Sequence, residues 1–135
     1  MDEACKKEIL EWLEKVSMDE NTAHVIFEAH AYPKKFDALC FHCQQAAEKA
    51  LKAVIVSKKI EVEKTHDLRR LFSILSAFFS IPDNVQNAGK SLTMYSILPR
   101  YPHEWEIDER IAKKAMTDMD VVVTWVKSLL LGDKL

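Results

Sequence analysis

Between Cys40 and Lys52 the chain reads CFHCQQAAEKALK, and this stretch limits the accessible folds more than any other. At 3.6 residues per turn, Cys40, Cys43, Ala47, Ala50, Leu51 and Val54 share one broad apolar face. Gln44, Glu48 and Lys52 fall on the opposite side, the expected solvated surface. A helix of this kind has to be packed. Its face is mostly small, with alanine at 46, 47 and 50, so neighbouring helices are expected to approach toward the lower end of the usual range of roughly 8–10 Å. Between the two faces runs a third stripe, His42, Gln45 and Lys49, which places an imidazole, an amide and an ammonium on one line.

The rest of the composition agrees with a helical chain. Two glycines and four prolines in 135 residues leave little room for tight turns, and one domain spanning residues 1–135 is the expected organisation. Nineteen basic against 21 acidic residues give a net charge of −2, so no global field draws the chain onto nucleic acid or an anionic membrane. No apolar run reaches the roughly 18–20 residues of a membrane span, and the charged start MDEACKKEIL is unlike a secretion signal. A cytoplasmic protein with three reduced thiols is therefore expected, with no membrane partner. Cys40 and Cys43 form a lone CxxC, but no second pair completes a zinc site, so packing explains them better than metal or redox chemistry. No cofactor and no metal ligand is expected.

Taken in order, residues 2–30 carry Ile9, Leu13, Val16, Ala23, Ile26 and Phe27 at helical spacing and read as one long helix, with a weak point at Ser17–Thr22 where a kink or break is plausible. Pro33 separates this segment from a second helix over residues 34–58, followed by a charged loop, KKIEVEK. Thr65 is the natural N-cap of a third helix, whose stripe Leu68, Leu71, Phe72, Leu75, Phe78 and Phe79 is the cleanest in the chain. A shorter helix over residues 83–97 contains Gly89, which marks a close contact with a neighbour, and Asp108 caps a final helix. Four long helices and a shorter one with brief connections make an all-α, antiparallel up-and-down bundle of four to five helices.

Three motifs in a fixed order, FHCQQAAEKALK, THDL and RYP, resemble the HEPN (higher eukaryotes and prokaryotes nucleotide-binding) domain family over about residues 36–105. The resemblance implies a helical bundle, frequent homodimers, and prokaryotic systems in which the domain is paired with a small nucleotidyltransferase protein as a toxin-like partner. Ribonuclease-active members carry an Arg followed, after four to six residues, by a His. Here the nearest pair, Arg100 and His103, is separated by only two residues, which favours a non-catalytic nucleotide- or RNA-binding module. The alternatives are a metal-independent ribonuclease using the atypical Arg100/His103 pair, with His as acid or base and Arg on the phosphorane-like charge, and a purely structural interaction module.

For nucleotide binding the candidates are His42, Gln45 and Lys49 on the helix stripe, with Arg100 and Tyr101 from the Pro-bounded loop. Each has a plain structural alternative. His42 can be an interior histidine satisfied by a polar neighbour, Lys49 can pair locally with Glu48, Arg100 can pair with a carboxylate and Tyr101 can plug the bundle end. If stripe and loop act together, they line one pocket at the side of the bundle or at a dimer interface.

Overall fold

The structure, a computed structural model, describes residues 2–29, 35–96 and 107–132. Among these lie five α-helices and no strand: α1 (Glu3–Glu28), α2 (Lys35–Ser57), α3 (Leu68–Leu75), α4 (Asp83–Thr93), extended by a 3-10 turn at Met94–Ser96, and α5 (Glu109–Gly132). They form an antiparallel bundle around α2. Fifteen of the 23 residues of α2 are buried, which happens only when a helix is covered on nearly every side. Helix α1 packs along one side of it, α5 along another, and α3, α4 and the 3-10 turn close the remainder. The alanines at 46, 47 and 50 are fully buried, as the small face predicts.

The helix ends follow from their caps. Asp2 accepts from the Cys5 amide at 2.7 Å to start α1, and Asp108 accepts from the Ile111 amide at 2.9 Å to start α5. For α3 the N-cap is Asp67, not Thr65: Asp67 accepts from the Arg69 amide at 2.9 Å. The Thr65 hydroxyl accepts from the Asp67 amide at 3.2 Å, so the two residues hand the chain into the helix in succession. Helix α2 stops at a left-handed residue, Lys59 (φ 58°), where the Lys59 and Ile60 amides donate back to the carbonyls of Val56 and Ile55. This is a Schellman ending carried by a residue other than glycine.

Helix α1 is one long helix, as its spacing predicts, and runs unbroken through the weak point at 17–22, whereas α3 is a correction: it is much shorter than its stripe and ends at Leu75. Beyond that point the amides of Phe78 and Phe79 both turn back onto the Leu75 carbonyl. Phe78 consequently leaves the core stripe and lies 47 % exposed, while the Phe79 ring meets Trp125 edge-on at 6.2 Å. Among the described residues there are thus three long and two short helices. At Gly89 the close contact is real: a Cβ there would lie 2.2 Å from Phe72 Cε2, so only a missing side chain lets that ring lie against α4. No described helix is long and apolar enough to cross a membrane.

Candidate functional site

The weak point of the α1 pattern is where polar chemistry enters the bundle. Asp19 lies three residues after Val16 and four before Ala23, on the buried stripe of α1, and it turns toward α2. Its Oδ1 is 2.8 Å from His42 Nδ1, and its Oδ2 accepts from Lys49 Nζ at 2.6 Å. One carboxylate therefore bridges two of the three stripe residues. An ionised carboxylate only accepts, so Nδ1 is the donor in this contact, and in the neutral ring Nε2 is then the acceptor. Lys49 retains two N–H donors beyond the one given to Asp19. Both side chains are half-buried, so they are accessible yet held in place.

Gln45 joins this seam to a second centre. Its amide nitrogen donates to Gln44 Oε1 at 2.7 Å and approaches Glu48 Oε1 at 3.5 Å, while its carbonyl makes no hydrogen bond among the described residues. Gln44, Glu48 and Lys52, expected on a solvated surface, are instead buried. The reason is geometric: α2 is enclosed, so its polar positions must find partners inside. Glu48 is the hub. It accepts from Gln44 Nε2 at 3.1 Å and Lys52 Nζ at 2.9 Å, and His66 Nδ1 lies 2.9 Å from its Oε1. Gln44 also donates to the His66 carbonyl at 3.0 Å, tying the α2–α3 connection to α2. The Lys52 ammonium lies 5.9 Å from the centre of the Trp12 ring, which places that tryptophan at the edge of the core. No buried side-chain nitrogen or oxygen in the described residues lacks a hydrogen bond.

Elsewhere on α2, Cys40 and Cys43 are buried and unpaired. Burial, with Asp37 beside it, pushes the Cys40 thiol up to about 12, and burial raises Cys43 as well, so both remain protonated and unreactive. Tyr95, from the 3-10 turn, is likewise pushed up to about 12 by burial, with Cys40 and Asp118 nearby. Among the described residues, no group of three His, Cys, Asp or Glu side chains is placed to hold a metal ion.

The structure thus brings His42, Gln45 and Lys49 together on one edge, with Asp19 as the residue that organises it. Arg100, Tyr101 and His103 lie outside the described residues. Asp19 was the functional-type residue that sequence reasoning passed over; Glu48 was read as part of a solvated surface, and His66 as part of the helix start THDL. Asp19 carries a readable signal, its 16–19–23 spacing on the apolar stripe; Gln44, Glu48 and Lys52 carry another, since α2 continues into the unbroken apolar run Ala53–Val56.

Comparison with known proteins gives a consistent picture. A model of the HEPN domain matches residues 9–129. Among solved structures, TT1696 from Thermus thermophilus superposes with a TM-score of 0.75 at 22% identity, covering 89% of this chain and 96% of its own. ST0689, an archaeal HEPN homologue, gives 0.69 at 20% identity, covering 90% and 96%. No curated protein matches.

Proposed function

The chain belongs to the HEPN family, and from that premise we propose that it is a binding module for a nucleotide or an RNA segment, acting as a homodimer and as the toxin-like partner of a small nucleotidyltransferase. The observation that carries the reading is the bridged edge, with His42 and Lys49 on the two oxygens of Asp19 and Gln45 beside them. Such an edge offers two acceptors, His42 Nε2 and the Gln45 carbonyl, suited to ribose hydroxyls or exocyclic amines. The remaining ammonium donors of Lys49 suit a phosphate oxygen, although Asp19 already offsets its charge and limits that contribution. In this reading Arg100 supplies the bidentate phosphate contact and Tyr101 a stacking surface.

Titrating the protein with ATP, GTP and a short single-stranded RNA, followed by calorimetry, tests it. Saturable binding is expected for at least one of the three, weakened about tenfold in His42→Ala and Lys49→Gln, each with a far-ultraviolet spectrum like wild type. No binding by any of them overturns the ligand reading and leaves the protein partner, for which co-purification with a small nucleotidyltransferase is the readout.

A further inference from the structure

Away from the α1–α2 seam, α3 and α4 diverge to form a cleft of about 530 Å³, within the range of small-molecule sites. Two cations, Arg69 from α3 and Lys90 from α4, line it, and among the described residues no carboxylate does. Phe72 and Ile81 supply an apolar part of the wall, and Ser73 and Asn87 supply neutral polar groups.

The state of these groups is informative. Arg69 donates through Nε to Asp67 Oδ1 and through Nη2 to Asp67 Oδ2, both at 3.2 Å. Asp67 is itself the N-cap of α3, so the guanidinium is tethered to the helix start. Two of its five N–H donors are used there and three remain. A tethered guanidinium loses less freedom on meeting a ligand than a free one, although Asp67 offsets part of its charge as Asp19 does that of Lys49, which leaves Lys90 as the cation without a carboxylate partner among the described residues. Lys90 makes no hydrogen bond or ion pair among the described residues, and neither the Ser73 hydroxyl nor the Asn87 amide has a partner there. The wall owes its shape to Gly89, which admits the Phe72 ring against α4.

From this juxtaposition we infer that the α3–α4 cleft is a second site, for a small phosphomonoester. Arg69 and Lys90 hold the phosphate, Asn87 and Ser73 meet polar groups of the ester's organic part, and Ile81 with the exposed edge of Phe72 gives that part an apolar contact. The site shares no residue with the His42–Asp19–Lys49 edge, which is built from α1 and α2 alone.

A nitrogen–proton correlation spectrum recorded during titration with AMP, adenosine, inorganic phosphate and a short RNA tests the inference. AMP is expected to shift the backbone amides of Ser73, Asn87 and Lys90 saturably, at least tenfold more tightly than adenosine or inorganic phosphate, and Lys90→Gln to weaken it about tenfold. Both Lys90 and Arg69 are exposed, so Lys90→Gln and Arg69→Gln retain the fold, which the same spectra verify. Unmoved amides, equal affinity for inorganic phosphate and AMP, a response to RNA alone, or unchanged AMP affinity in the Arg69→Gln/Lys90→Gln double variant would each overturn it. Shifts at His42 and Lys49 instead of the cleft would support the seam and count against this second site.

Discussion

Glu48 receives hydrogen bonds from side chains on three sides while lying 3 % exposed, and its loss strands the buried ones. Removing one partner of a buried ion pair is costly because the other charge stays buried; here Lys52 is left behind and buried Gln44 loses an acceptor, while the His66 ring, more than half exposed, can turn to water. Glu48→Ala is expected to lower the unfolding free energy by roughly 3–5 kcal/mol in urea melts, with an unchanged slope against denaturant. A loss below about 1 kcal/mol would mean that the hub is solvated in solution and that the burial of α2 is overstated. Asp19 is organised on the same principle but nearer the surface, where His42 and Lys49 are each half-buried and can exchange a protein partner for a ligand. The difference between the two carboxylates is thus one of access: Glu48 secures the bundle, and Asp19 positions an edge.

At the scale of the element, helix ends were the part least readable from sequence. Thr65 and Asp67 are both good caps, and nothing local decides between them; the choice falls to Asp67 because Thr65 turns its hydroxyl onto the Asp67 amide. The α3 stripe continues to Phe79 on paper, yet the chain tightens at Leu75, whose carbonyl takes the amides of both Phe78 and Phe79, and the helix stops there. Helix α2 ends on a cost, since Lys59 occupies the left-handed region that favours glycine. Lys59→Gly is therefore expected to raise stability by roughly 0.5–1 kcal/mol, read as a higher urea midpoint. Its exposed pairing with Asp2 at 3.8 Å contributes too little to reverse the sign. A lower midpoint would show that the Schellman ending does not persist in solution.

For the molecule as a whole, the bundle and the family were legible because they rest on long apolar periodicities and on three motifs in order, neither of which depends on a single contact. The stripe of His42, Gln45 and Lys49 was legible for the same reason, being set by spacing along one helix. Its organiser was not, because Asp19 meets it across 23 residues of chain, and no local pattern encodes which α1 residue faces which α2 residue. The burial of Gln44, Glu48 and Lys52 was missed likewise: a helical wheel shows which residues share a face, not how many neighbours the helix will have. Binding at the edge held by Asp19 requires it to be both preorganised and open to a ligand. Long-range nitrogen–proton spectra of the imidazoles, recorded while ATP, GTP or short RNA is added, test both properties together. The expected result is a His42 ring protonated at Nδ1 in the free protein, with an Nε2 resonance that moves saturably with ligand; a proton resident on Nε2 instead, or an Nε2 signal unmoved by all three, would contradict the account.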